Sequence, residues 1–202
     1  MRDTGAIRTV AEFLAWEERQ ELRYEFDGMR AVAMVGGTAA HNIISGNVFA
    51  TLRDRLRGKP CRAFSETVKI EVAGRIRYPD VTVTCSPVPA TATVIPAPVV
   101  IFEVLSDGTA RKDRTEKNAE YRDTPTIMRY IMLEQDVLRG MMFAREGDRW
   151  VGSLLGPDAV IEMPEIAVSL PLADAYEGLD LSAVADELDN TSAVTVQSTD
   201  PR

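Results

Sequence analysis

Two carboxylates, Asp80 and Glu103, and one amine, Lys117, are the side chains whose type and placement can do chemistry. Asp80 opens the run Val81-Thr82-Val83-Thr84, and Glu103 follows Val99-Val100-Ile101-Phe102. Both lie in or at the edge of apolar, β-branched runs. A carboxylate in such a run is costly unless it is paired or binds a metal. Two of them on neighbouring strands make an oxygen-ligand site for a hard divalent cation, Mg²⁺ or Mn²⁺, completed by waters and a phosphate oxygen. Such a cation acidifies a water and stabilises a leaving oxygen. A nearby lysine would orient the water or neutralise charge on phosphorus. Lys117 is the best donor, because its helix leaves the end of the Glu103 strand; Lys112 is second. Glu25, between Tyr24 and Phe26, reads either as an exposed edge carboxylate or as a fourth acid. His41 is the only histidine. A multi-histidine zinc site is therefore excluded, and a surface or capping role is favoured for His41 over acid–base work.

The elements that must position these groups follow from pattern. Thr9 and Glu12 form a capping box for a helix ending near Arg23. Tyr24-Glu25-Phe26 is a strand, Asp27-Gly28 a hairpin turn, and residues 29–35 the return strand. Gly36-Gly37 breaks it, and Thr38 caps a helix over 39–57 with Ile44, Val48, Leu52 and Leu56 on one stripe. Strands follow over 62–72 and 75–84, turned at Ala73-Gly74. The proline-rich run 87–98 is a loop. Residues 99–105, the most continuously apolar strand, belong at the centre of the sheet. The next helix, 110–122, has only Ala110, Ala119 and Tyr121 with which to reach a core, so it is either solvated or faces a polar site. Asp113, Lys117 and Tyr121 share one of its faces. Residues 127–133 form a strand, 138–145 and 150–155 a hairpin, 161–170 one or two further strands, and 171–176 a short helix.

The chain has 202 residues and is 45% hydrophobic, enough for one domain with a real core. Residues 1–180 read as that single domain and 181–202 as a disordered acidic tail. No run approaches the ~18 apolar residues of a membrane span, and residues 1–5 lack a signal-peptide core. Cys61 and Cys85 read as free thiols of a reducing compartment, so the expectation is a cytoplasmic protein with no membrane partner. The net charge of −8 is uneven: residues 156–202 carry ten acids against Arg202 alone, which leaves 21 acids against 22 bases elsewhere. Within that near-neutral body Arg53, Arg55, Arg57, Lys59 and Arg62 cluster, as do Arg111, Lys112, Arg114 and Lys117. Such clusters are solvated helix faces or phosphate contacts.

No phosphate-binding loop, dinucleotide fingerprint, His-Glu-x-x-His or nucleophile elbow is present. Instead Pro79-Asp80-Val81, Phe102-Glu103-Val104-Leu105-Ser106 and Asp113-Arg114-x-x-Lys117-x-x-x-Tyr121 resemble the Uma-two family of restriction-endonuclease-like proteins. Tyr24-Glu25-Phe26-Asp27-Gly28 is similar to that family's early Tyr-Glu-x-x-Asp-Gly, one residue shorter. The resemblance covers residues 10–175. It implies the PD-(D/E)XK nuclease fold, an α/β (α+β) mixed central β-sheet flanked by helices, here with an added C-terminal hairpin. It also implies that Asp80 and Glu103 bind metal, that Lys117 stands in for the lysine absent from position 105, and that Glu25 or a helix carboxylate joins them. The family's Ser-Pro-Ser-Thr is here Ser106-Asp107-Gly108-Thr109, and its Glu-Tyr-Trp and terminal Asp are Arg129-Tyr130-Ile131 and Glu134 or Asp136.

The expectation is a Mg²⁺-dependent endonuclease hydrolysing DNA phosphodiesters with Asp80, Glu103, Lys117 and Glu25, and a homodimer if both strands are cut. The alternative is a catalytically inactive nuclease-like fold serving as a nucleic-acid or protein interaction module. A purely structural arrangement, with Asp80 and Glu103 paired to arginines such as Arg77, is the third reading.

Overall fold

The computed structural model describes residues 7–34, 36–106 and 113–181, with residues 113 and 114 in backbone only. Asp107-Gly108-Thr109, Arg111, Lys112, the side chains of Asp113 and Arg114 and the tail beyond 181 lie outside the described residues.

Helix α1 (Val10–Glu17) starts at the expected capping box: Thr9 Oγ1 accepts from the Glu12 amide, and the Glu12 carboxylate accepts from the Thr9 amide. It ends six residues before Arg23, and Glu17 at its end is turned inward to Tyr78 and Lys69. Strands β1 (Tyr24–Phe26) and β2 (Ala31–Ala33) form the first hairpin. Helix α2 (Ala39–Arg55) begins at Thr38 and buries Ile44, Val48 and Leu52.

The two long strands expected over 62–72 and 75–84 are each broken. The first becomes β3 (Arg62–Ser65) and β4 (Lys69–Val72); the second becomes β5 (Arg75–Arg77) and β6 (Val81–Thr84). The hairpin turns through Ala73 and Gly74, both at positive φ (47° and 71°), as a two-residue turn requires. Its near half, β4–β5, belongs to one sheet and its far half, β3–β6, to another. The crossing on the return strand is Tyr78-Pro79-Asp80, where proline has no amide to continue a ladder.

The remaining elements are β7 (Val94–Ile95), β8 (Pro98–Leu105), a π-helical turn (Asp113–Lys117) continuing into α3 (Asn118–Asp123), β9 (Arg129–Glu134), β10 (Gly140–Glu146), β11 (Arg149–Leu155), β12 (Val160–Met163), a 3-10 turn (Pro164–Ile166), β13 (Val168–Pro171) and α4 (Leu172–Ala175). One sheet has the order β2-β1-β5-β4-β7; the larger has β11-β10-β9-β8-β6-β3; β12 and β13 form the C-terminal hairpin. Strand β8 is interior, as expected, and runs parallel to β9 and antiparallel to β6.

Alternation along β8 sorts two cores. Val100, Phe102 and Val104 meet α2, the β12–β13 hairpin and α4. Ile101 and Leu105 face the other way, with Tyr130 and Met132 of β9, onto Ile70, Val72 and Ile95 of the smaller sheet and Tyr121 of α3. A third cluster, Phe13, Phe26, Ile76 and Tyr78, seats α1 on β1 and β5. Glu103 points into the space between the two sheets. The architecture is thus a mixed β-sheet protein flanked by helices with the added hairpin.

A further expectation is overturned. Cys61 and Cys85 are not free thiols but a disulfide, with a Cα separation of 3.8 Å and a sequence separation of 24. The β3–β6 register pairs Arg62 with Thr84, which sets the two cysteines opposite each other one residue further out. Strand pairing brings them together, and spacing in sequence does not reveal it. No helix of the described residues is long and apolar enough to cross a membrane.

Candidate active site

Each acid arrives on a different element. The β6–β8 ladder pairs Val81 with Phe102; one step further, Asp80 stands opposite Glu103. Asp80 Oδ2 accepts the Val104 amide at 2.6 Å, so the side chain continues the ladder where proline interrupts it. The same oxygen lies 3.2 Å from His41 Nε2, with Asp80 about 11% exposed. Glu103 is 3% exposed, and its Oε1 accepts both the Lys117 ammonium at 2.9 Å and the Tyr121 hydroxyl at 2.8 Å. Lys117 and Tyr121 are four residues apart, so the face expected from spacing does meet the site.

Glu25 crosses from the smaller sheet. Its Oε1 lies 3.4 Å from Lys117 Nζ and accepts the Tyr78 amide, and its Oε2 accepts from Arg77 at 3.2 Å. The edge-carboxylate reading of Glu25 is therefore corrected: the residue is 8% exposed. Arg77, wholly buried, grips Glu120 of α3 through two hydrogen bonds of 2.7 and 2.6 Å. Arg75 adds a contact to Glu120 at 3.2 Å. The third sequence reading placed Arg77 against Asp80 or Glu103; its partners are Glu25 and Glu120.

Burial alone would depress the Arg77 guanidinium. The hydrogen bonds from Glu120 and the charges of Glu25 and Glu120 outweigh it and hold the group above its ordinary range. Tyr121 is pushed well above the usual phenol range, first by burial and then by the Glu103 charge, so it remains a hydrogen-bond donor. Among the described residues the cluster holds four carboxylates, Glu25, Asp80, Glu103 and Glu120, against three cations, Arg75, Arg77 and Lys117.

The structure thus brings together Asp80, Glu103, Lys117 and Glu25. Leu105, where a lysine was missing, is buried in the core between the sheets. Sequence reasoning missed Glu120 and Arg77 as partners and ranked His41 as a surface or capping residue. The available signal was the unanchored helix: a polar helix with an inward tyrosine must face charge.

The donor set suits a hard cation. No three His, Cys, Asp or Glu groups converge as a metal cage among the described residues. Sparse ligation by one or two carboxylates with substrate phosphate and water is nevertheless the habit of Mg²⁺. Asp80 supplies a fitting oxygen: among the described residues Oδ2 takes both contacts of this nearly buried carboxylate, and Oδ1 has no donor there.

Residues 10–173 match the model of the Uma2 family, described as "Putative restriction endonuclease". The uncharacterised protein slr1290 of Synechocystis is 30% identical over 173 residues, covering 83% of this chain and 90% of its own length. A second uncharacterised Synechocystis protein, sll1609, is 29% identical, covering 79% of this chain and 94% of its own. The crystal structure of a DUF820 protein from Anabaena variabilis, titled a "putative nuclease", superposes with a TM-score of 0.67 at 18% identity, covering 87% of this chain and 98% of that one.

Proposed function

The chain belongs to the Uma2 family, and from that membership we propose that it is a divalent-metal-dependent nuclease that hydrolyses DNA phosphodiester bonds. The observation that carries this reading is the meeting of three groups from three elements: Asp80 opposite Glu103, and Lys117 2.9 Å from Glu103. Asp80 and Glu103 are the residues that would hold Mg²⁺ or Mn²⁺. The chemistry supplied by such a cation is Lewis-acid polarisation of the phosphodiester and acidification of water. Lys117 brings an ammonium to the same place, where it stabilises negative charge developing on the phosphoryl oxygens. Glu25 tethers Lys117 from the opposite sheet, and Tyr121 fixes the Glu103 carboxylate. In the reaction a water oxygen bonds to phosphorus, the bond to the leaving sugar oxygen breaks, and that oxygen gains a proton. Scission of both strands of a duplex takes two such sites, which a homodimer would provide.

The test is cleavage of plasmid and single-stranded DNA with Mg²⁺ or Mn²⁺ by wild type, Asp80→Ala and Glu103→Ala. Metal-dependent cleavage that both variants lose is expected. Equal cleavage by wild type and Asp80→Ala, or none by wild type, defeats the proposal.

A second reading has its own observation. Arg53, Arg57, Lys59 and Arg62 line a cavity of about 410 Å³ at the far end of α2. A catalytically silent module that grips nucleic acid there would bind DNA undiminished after Asp80→Ala and Glu103→Ala. It would lose binding, and part of its salt dependence, when Arg53 and Arg57 are neutralised.

A further inference from the structure

His41 lies in the first turn of α2, and its surroundings set the ring beside Asp80. Thr38 Oγ1 accepts the His41 amide at 3.1 Å and donates to Gln135 Oε1 at 2.7 Å, so the helix start is braced against the chain that follows β9. Gly37 lies beside the imidazole: a Cβ there would stand 3.1 Å from Nδ1 and 3.2 Å from Cγ, tighter than ordinary contact, so a side chain at 37 would press on the ring. The ring is 15% exposed and its Nε2 is 3.2 Å from Asp80 Oδ2. That oxygen already accepts the Val104 amide. A carboxylate oxygen offers lone pairs and no hydrogen, so an imidazole that bonds to it from this position does so through Nε2–H.

We propose that His41 is a positioning residue for Asp80. Resting on the metal-nuclease reading above, it adds what that reading lacks, a reason for Asp80 to hold one orientation. The Val104 amide donates to Oδ2, and the His41 ring stands 3.2 Å from the same oxygen, within reach to donate to it as well. The carboxylate plane is then fixed, and Oδ1 is the oxygen presented for the cation. An Asp held by Val104 alone could swing about its χ2 torsion, and a loosened ligand costs metal affinity on the order of 10–100-fold.

The inference is tested in two ways. Because His41 is the only histidine, the ring nitrogens give the only imidazole signals in a ¹⁵N spectrum of the full chain. At about pH 8, where a free imidazole is neutral, the Nε2–H tautomer is expected, with its bias lost in Asp80→Asn. The Nδ1–H tautomer, or a bias indifferent to Asp80→Asn, overturns the proposal without any metal present. Calorimetric titration with Mn²⁺ alone then compares wild type, His41→Ala and His41→Gln, whose amide can donate in place of Nε2–H. His41→Ala is expected to bind roughly 10-fold or more weakly, and His41→Gln to recover to within about 3-fold of wild type. Equal affinity in wild type and His41→Ala overturns this role alone. Loss in His41→Gln as deep as in His41→Ala overturns it too, because the ring would then act as more than a donor. No Mn²⁺ uptake by wild type brings down the metal-nuclease reading and this role with it, whatever the tautomer.

Discussion

Arg77 of the smaller sheet holds Glu120 of α3 in a two-pronged grip, three residues beyond Lys117. The helix that carries the amine is therefore anchored by charge where its sequence offers little apolar surface. Removing one partner of a buried pair strands the other, at a cost of about 3–5 kcal/mol. Arg77→Met, which takes from Glu120 its two-pronged partner and leaves it Arg75, is expected to lose about that much in urea unfolding. Arg77→Met combined with Glu120→Leu should lose less than Arg77→Met alone. A double variant as unstable as the sum of its singles would mean that the two side chains do not act together.

Lys117 sits between Glu103 and Glu25, so its replacement has two consequences. Lys117→Met should cut DNA about 100-fold more slowly or worse, and should also lose about 3 kcal/mol of stability, since two acids are left facing each other. Lys117→Arg keeps the charge and should keep most of the stability while losing activity, because a planar guanidinium does not replace a compact ammonium. Full activity in Lys117→Met would remove the lysine from the mechanism.

Tyr121 provides a pH signature. Its phenol is held above its ordinary range by burial and by Glu103. The folded protein therefore keeps a proton that the unfolded chain releases near pH ~10. Protons bound in the folded state exceed those in the unfolded state above that point, so stability falls as pH rises, by up to about 1.4 kcal/mol per unit. Below it the group has no effect. Wild type should lose stability more steeply above pH ~10 than Tyr121→Phe, measured by denaturant midpoints along a pH series. Parallel curves would contradict the assignment.

The Cys61–Cys85 bridge joins edge strand β3 to β6 across 24 residues of sequence. Closing a loop of that length is worth roughly 3 kcal/mol by the chain-entropy account. Cys61→Ser with Cys85→Ser should lower stability by about that amount. In the native chain, alkylation should label neither cysteine before reduction and both after it. Labelling of two thiols without reductant would rule the bridge out.

Much of this was legible in the sequence because it is local. The capping box of α1, the stripe of α2, the apolar continuity of β8 and the lysine–tyrosine face of the polar helix all follow from residues a few positions apart. The rest depends on pairing between distant segments. The run from Arg62 to Val72 alternates as one strand would, and nothing in its period reveals that Glu66 to Val68 pass from one sheet to another. Arg77 and Glu120, 43 residues apart, read separately as two ordinary charges. His41 reads as a capping residue until the β6–β8 ladder places Asp80 beside it. Pro79, which has no amide to continue a ladder, is the local hint of the seam.

That seam has a temporal consequence. Glu25 and Arg77 come from one sheet, Asp80 and Glu103 from the other, and Lys117 from the helix between β8 and β9. Neither sheet alone contains the constellation, and its contacts join residues as far apart in sequence as Glu25 and Lys117. Contacts of such separation form late and cooperatively. A chain still emerging from the ribosome, or one caught half-folded, carries every necessary side chain yet has them scattered. The charged cluster is complete only once the two sheets have docked.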